Sequence, residues 1–294
     1  MIRTTSARVN TIAIMAEQKA AFIKVPTDLT NGFQTMPVEP SRRLPESDIR
    51  IELCTERDAT KIAEGLYLCF PDDWWAKKEP LDLRPQENSN QIRIQRMAAR
   101  LTPAITDPHH NFIKAVYVPT GETIGVAGWT LPSNPGVHNM FRRTAVEHYG
   151  WQEKMGWSDA ELEEMWSHVS NETWSVQFGK DDETRREITE GKPHWYLAPL
   201  LTWPEWQGRG VGKRLMDWAI RQADAEEVST PMYLESRPSA RPVYMHLGFV
   251  PCGEYNMLRR GPAVVRGLEA EEESKTADVR VDVVAKKTEA DVVG

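Results

Sequence analysis

The chain is poor in the features from which small secreted folds, zinc modules and membrane proteins are built. Its 294 residues include only three cysteines, Cys54, Cys69 and Cys252. They are odd in number and widely scattered, so neither a disulfide framework nor a zinc site is implied. No apolar run approaches the roughly 20 residues that span a bilayer. The best stretch, residues 195–203, is short and contains Pro199. Positive charge is in deficit: 36 Lys and Arg stand against 43 Asp and Glu, a formal net charge of −7. That balance argues against nucleic acid as a partner, because phosphate backbones select basic faces. No internal repeat is visible. The length suits one large domain or two small ones, with enough chain to bury a core. A soluble protein of a reducing compartment is expected, cytoplasmic, with no membrane partner. Arg3 and Arg8, with no acid before Glu17, make the start weakly similar to a transit peptide, so the mitochondrion is the alternative.

Charge and periodicity divide the chain. Residues 262–294 hold five basic and eight acidic residues and no Trp, Tyr or Phe. They cannot bury enough to offset their ordering entropy and are expected to form a disordered acidic tail. Residues 1–48 lack sustained periodicity and are expected to be disordered. The domain is then 49–261, carrying a net charge of −5.

Within it, residues 49–54 alternate apolar and charged, a half-buried strand. Thr55-Glu56-Arg57-Asp58 starts a helix whose Ile62, Leu66 and Phe70 share a face, and Pro71 ends it. A second helical pattern covers 90–101. Strands at 111–118 and 122–130 follow, joined by Pro119-Thr120-Gly121. A strand, two helices and a hairpin in that order fit an α+β layer with helices on an antiparallel sheet. Residues 131–192 break the rhythm. Polar, helix-prone and marked by Trp151, Trp157, Trp166 and Trp174, they read as a helical insertion whose tryptophans pack a core rather than line a pocket. His109-His110 lacks partners at ligand spacing, and no metal is expected.

Chemistry concentrates at 195–215. An apolar strand to about Thr202 leads through a short loop into a helix with the core stripe Val211, Leu215, Ala219 and Ala223. Gly208, Gly210 and Gly212 leave backbone N–H groups uncovered at the helix N-terminus, a ready site for phosphate. Lys213 and Arg214 sit unfavourably for the helix dipole, as if an anion neutralised them. A Walker loop would need glycine at 207 and Ser or Thr at 214, where Gln and Arg stand. A dinucleotide fingerprint would need G-x-G-x-x-G early in a βαβ unit. The pattern present is Gln-x-x-Gly-x-Gly: Gln207, Gly210, Gly212.

In element order over about 49–260, interrupted by the insertion, and strongly over 195–250, the chain resembles the GNAT superfamily of acyl-CoA-dependent N-acetyltransferases, and it is softly similar to fungal small-molecule members around Leu234-Glu235-Ser236. The second hallmark is a fifth strand at 231–235, a polar loop, then Tyr244-Met-His-Leu-Gly248-Phe249. The resemblance implies a mixed, mainly antiparallel central sheet with helices on both faces, splayed between its fourth and fifth strands. It implies acetyl-CoA as co-substrate, its pyrophosphate held at Gln207, Gly208, Arg209, Gly210, Val211, Gly212 and Lys213. Backbone N–H groups around Leu200, Leu201 and Thr202 would hold the developing oxyanion, and Tyr244 would protonate the leaving thiolate. Where many members carry Asn after the fifth strand, the nearest polar residues here are Ser236 and Ser239. Of the candidate bases, Glu235 ranks before Glu205 and His194. Cys252 has no His partner at readable spacing, so a thiol intermediate is disfavoured. Phe70, Asp73 and Trp74 sit where the family shapes its acceptor pocket, or else form a helix terminus with core tryptophans. The expected partner is a small-molecule amine. A peptide or protein acceptor is the alternative, and a non-catalytic acyl-CoA-binding module is another. The oligomeric state is not read.

Overall fold

In the computed structural model, seven strands make one sheet: Ile49–Leu53 (β1), His110–Tyr117 (β2), Glu122–Thr130 (β3), Trp195–Thr202 (β4), Met232–Glu235 (β5), Val250–Pro251 (β6) and Asn256–Arg259 (β7). The structure describes residues 23–26, 33–36, 42–134, 138–225, 228–245 and 247–261. The segment 262–294, read as a disordered acidic tail, lies outside these, as does most of 1–41. The strand order is β1-β2-β3-β4-β5-β7-β6. β4 and β5 run parallel, and the other neighbours are antiparallel. The fold is therefore α+β with a mixed, mainly antiparallel sheet. A separate two-stranded hairpin pairs Ile23–Pro26 with Phe33–Met36.

Each face of the sheet carries its own core. On one side pack Ala59–Cys69 (α1), Asp72–Lys78 (α2) and Ser89–Ile105 (α3), with Phe112, Val126, Leu201 and Trp203 from the sheet. The helices between β3 and β4 join this side: Thr144–His148 (α4), Trp151–Met155 (α5), Asp159–Trp166 (α6) and Gln177–Ile188 (α7). Trp151, Trp166 and Trp174 are buried in that same core, as expected for packing residues. On the other side lie Val211–Ala223 (α8) and Arg241–Met245 (α9). The stripe Val211, Leu215, Ala219 and Ala223, with Met216, is buried there at 1% exposure or less. Such burial contributes about 1.5–3 kcal/mol for each large aliphatic side chain.

Two helices differ from the sequence reading. α3 continues past residue 101 to Ile105, with Pro103 inside it, because Leu101, Ala104 and Ile105 extend its buried face. Residues 72–78 form a new helix rather than a helix terminus. Pro71 precedes it, Asp72 and Asp73 occupy its first turn, and Lys77 and Lys78 its last, the charge order that suits the helix dipole.

Candidate active site

The opening in the sheet starts where β4 and β5 stop pairing. Only Trp195↔Met232, Tyr196↔Tyr233 and Leu197↔Leu234 are in register. Pro199 follows on β4 and has no N–H to donate. Between Leu197 and Leu200, β4 has two residues facing the single Gly128 of β3, a bulge that bends the strand. A side chain at Gly128 would meet the Ala198 carbonyl at 2.6 Å, so only glycine lets β3 follow that bend. Beyond it, the Trp203 N–H bonds to the Ile124 carbonyl. Strand alternation then turns Leu201 toward β3 and the N–H groups of Leu200 and Thr202 into the gap. The sequence-derived splay is thus present, with donors on its edge.

At the end of β4 the chain turns through Pro204–Trp206 and Gln207 reaches back to the Thr202 carbonyl at 3.0 Å. Gln207 therefore closes the loop onto the strand. Gly208 and Gly210 have φ of +71° and +85°, the left-handed region that favours glycine. No side chain caps α8 at Gly210, so its first N–H groups remain available as anion donors. Val211 is buried and offers only its backbone, and a side chain at Gly212 would meet Thr202 Oγ1 at 3.7 Å. The Arg209 guanidinium lies 5.0 Å from the Trp206 ring centre.

The expectation that an external anion neutralises Lys213 and Arg214 needs correction. Lys213 pairs with Asp217 at 2.6 Å and Arg214 with Glu46 at 2.9 Å. Carboxylates of the chain itself do the neutralising. Cationic side chains at the loop come from a different place. Arg42 and Arg43, which the sequence reading left in the segment before the domain, lie across it. Arg43 Cγ is 3.0 Å from where a Gly210 side chain would begin, and Arg42 Nη2 is 3.6 Å from the same point on Gly208. The Leu44 N–H donates to the Arg209 carbonyl at 3.0 Å, pinning this strap down. Nothing in a charge pattern or periodicity could have placed it.

Tyr244 belongs to the core on the α8 side, with its ring 6.0 Å from Phe249. Burial pushes its hydroxyl up to about 12, so it holds its proton at neutral pH. Arg259 fixes the surroundings: its guanidinium forks onto Asp224 at 2.8 and 2.6 Å and donates to the Leu247 carbonyl. That ties the end of α8 to the turn after α9.

Glu235 ends β5 on the opposite face. Burial pushes its carboxyl up to about 7, against the stabilising pull of Arg185 and the hydroxyls of Tyr196 and Tyr233, while Asp181 adds to the upward push. Its Oε1 is buried with no hydrogen-bond partner. The Tyr196 hydroxyl accepts from Asn139 Nδ2 at 2.9 Å and the Tyr233 hydroxyl from Asn256 Nδ2 at 2.5 Å. Sequence reasoning missed Tyr196, Asp182 and Arg185. A signal existed: Asp182, Arg185 and Thr189 are all buried at helical spacing, a polar stripe where a core-facing helix would carry apolar residues.

The remaining candidates are dispersed. Ser236 is buried and its hydroxyl donates to the Arg237 carbonyl, while the side chain of Ser239 lies outside the described residues. His194 is buried before β4, where it lines a cavity of about 400 Å³ with Asp182 and Arg186. Glu205 stands beyond the other end of β4. Burial raises the Cys252 thiol, which disfavours a nucleophilic thiolate. Phe70 and Trp74 pack ring to ring at 5.0 Å, and Trp74 faces Trp174 at 6.1 Å. Asp73 is exposed. Phe178 of α7 continues that cluster at 5.5 Å from Trp174. One and two turns further along α7, Asp181 and Arg185 act on Glu235. Among the described residues no group of His, Cys, Asp and Glu could hold a metal ion, and no helix is long and apolar enough to cross a membrane.

Residues 187–265 match the family described as acetyltransferase (GNAT) domain. No curated relative matches the chain by sequence. Among solved structures, a histone-acetyltransferase-related protein of Corynebacterium glutamicum is similar at 22% identity and TM-score 0.45, over 73% of this chain and 97% of that one. A mosquito arylalkylamine N-acetyltransferase-like protein aligns at 11% identity and TM-score 0.38, over 70% and 84%. An acetyltransferase from Brucella melitensis, solved with acetyl-CoA, aligns at 15% and 0.35, over 73% and 89%. The glycine loop, the open edge of β4, Glu235 and Tyr244 all fall inside this segment of 79 residues, which is similar to the GNAT acetyltransferase domain.

Proposed function

We propose that the protein transfers the acetyl group of acetyl-CoA directly to the amine of a small molecule. The observation that carries this reading is the gap itself. A protonated tyrosine lies on its α8 face, a carboxylate raised to about 7 on the other, and unpaired strand N–H groups on its edge. The α8 N-terminus and its two left-handed glycines fit a pyrophosphate, and Arg42, Arg43 and Arg209 add positive charge around it. Bound there, acetyl-CoA supplies the activated acyl group.

The chain's own groups do the rest. Glu235 takes the proton from the incoming ammonium, leaving a lone pair to form the C–N bond. The N–H groups of Leu200 and Thr202 hold the carbonyl oxygen as it gains charge. Tyr244 gives its proton to the sulfur as the C–S bond breaks. The acceptor approaches from the α7 side, along Phe70, Trp74 and Phe178, with Asp181 to attract its charge. Asp73 sits at the outer rim of that approach. The 131–192 helices pack over this side of the sheet, and such cover favours a small amine over a peptide. The 1–48 and 262–294 segments flank the 49–261 domain, with Arg42–Asp48 acting as its strap, and the reaction takes place in the cytoplasm.

Thiol release from acetyl-CoA against a panel of amines, with lysine-bearing peptides as the competing class, tests the reading. Release with small amines supports it. Release with peptides alone replaces it with a protein acetyltransferase, and binding without release with a non-catalytic module. The raised carboxyl gives a pH signature. Glu235 must be ionised to act as base, so kcat/KM should fall about tenfold per pH unit below roughly 7, and Glu235→Gln should remove that limb. The strap has a smaller effect. Arg42→Ala with Arg43→Ala should weaken acetyl-CoA binding about fivefold to tenfold at low salt, as exposed charges contribute up to roughly 1 kcal/mol each. Calorimetry at two ionic strengths checks this, and the difference should shrink at high salt.

A further inference from the structure

The helices between β3 and β4 do more than pack tryptophans. Asp182 on α7 is 3% exposed. It accepts from Arg185 Nη2 at 2.5 Å, from Arg142 Nη1 at 2.6 Å and from the Asn139 N–H at 3.1 Å. Two of those partners lead back toward the sheet. Asn139 donates its side-chain N–H to the Tyr196 hydroxyl. The Arg185 guanidinium carbon lies 4.2 Å from the Tyr196 ring centre. Tyr196 is 1% exposed and Tyr233 fully buried; paired across β4 and β5, they share the sheet face of Glu235, two residues beyond Tyr233, and both act on its carboxyl. One carboxylate in the insertion therefore anchors the cation and the hydroxyl that surround the carboxylate at the gap.

We propose that Asp182, Arg185 and Tyr196 are positioning residues for Glu235, so that the insertion is part of the catalytic apparatus. The inference rests on the proposed role of Glu235 as base. The physical argument is a balance of opposing effects. Burial and Asp181 favour the neutral acid, whereas Arg185 from α7, Tyr196 from β4 and Tyr233 from β5 favour the carboxylate. On the β7 side Glu235 faces Asn256, an uncharged neighbour that holds Tyr233. A cation fixed by a buried ion pair cannot swing away, so its effect on Glu235 is constant rather than averaged over rotamers. Without Arg185 only the two hydroxyls would oppose burial and a like charge, so the carboxyl would hold its proton to higher pH and less of it could accept the ammonium proton at neutral pH.

The test is a direct titration of Glu235 in the full chain, which requires no acceptor. The protein labelled at the glutamate side-chain carboxyl carbon is followed by NMR across pH, and the Glu235 signal is identified by its loss in Glu235→Gln. Arg185→Met should raise its midpoint by about one unit, and Tyr196→Phe, a milder change that keeps the ring, should raise it by a fraction of a unit. Arg185→Lys should restore most of the shift. Midpoints unchanged in both Arg185→Met and Tyr196→Phe overturn the inference, because a purely packing role moves stability and leaves the titration alone. The pH profile of thiol release separates the two claims. If the midpoint moves and the acid limb of kcat/KM moves with it, both stand. If the midpoint moves and the limb does not, the positioning role stands and Glu235 is not the base.

Discussion

Gly210→Glu should abolish acetyl-CoA binding. The loop residue has φ of +85°, and a side chain there begins 3.0 Å from Arg43 Cγ. A left-handed non-glycine residue costs about 1–2 kcal/mol, so the variant should melt earlier than the parent. The larger effect is on the ligand. The new carboxylate would draw Arg43 to itself and stand at the mouth of the α8 N-terminus, where the phosphates need the same donors. Losing two charge-assisted hydrogen bonds at roughly 1.5–3 kcal/mol each weakens binding at least about a hundredfold. Thermal shift with acetyl-CoA and calorimetry check this. Gly210→Ala is the control, because it shares the backbone strain without the charge. If the two variants bind acetyl-CoA equally well, the phosphates are held elsewhere.

Tyr244→Phe should lower kcat by about a hundredfold, since general acid catalysis contributes roughly 10²–10⁴, and leave acetyl-CoA binding within about twofold. The geometry allows this separation. The ring packs against Phe249 in a core that phenylalanine also fills, so the substitution removes only the hydroxyl. Because burial pushes that hydroxyl up to about 12, the acid form persists across the usable range. The alkaline side of the pH profile should therefore stay flat to about pH 9, and the acid limb belongs to Glu235. Single-turnover thiol release at saturating acetyl-CoA is the decisive measurement. Wild-type kcat in the variant would take Tyr244 out of the mechanism.

How much of this could be read from the chain depends on how local each feature is. The loop from Thr202 to Lys213, the α8 stripe and the turn after Tyr244 show in the sequence because glycine spacing and a four-residue apolar repeat act over one or two helical turns. Lys213 with Asp217 was readable on the same ground, a pair four residues apart on one helix. Arg214 with Glu46 was not, at 168 positions apart. Two strands' worth of alternation located β2 and β3, yet nothing in it revealed that β4 bulges at Ala198-Pro199 where Gly128 stands opposite. Asn139 and Tyr196 are 57 positions apart, and no periodicity links an insertion to the strand it serves. α7 looked merely polar because its buried stripe is made of charges satisfied by one another rather than by water.

The sequence by itself determined the local elements: the strands at 49–54, 111–118, 122–130, 195–202 and 231–235, where α8 begins, which glycines leave its N–H groups bare and which tyrosine follows the fifth strand. Backbone sterics and side-chain spacing act between near neighbours, so those decisions are written within about a dozen residues. Tertiary structure alone decided the protonation of Tyr244 and Glu235, the two groups proposed to react. A hydroxyl rises to about 12 and a carboxyl to about 7 only when water is excluded and charges from distant parts of the chain arrive within a few ångströms. Tyr244 and Glu235 were legible as residues. That one keeps its proton at neutral pH while the other is poised near 7 to release it follows from burial and from Arg185, Tyr196 and Tyr233 closing around the gap.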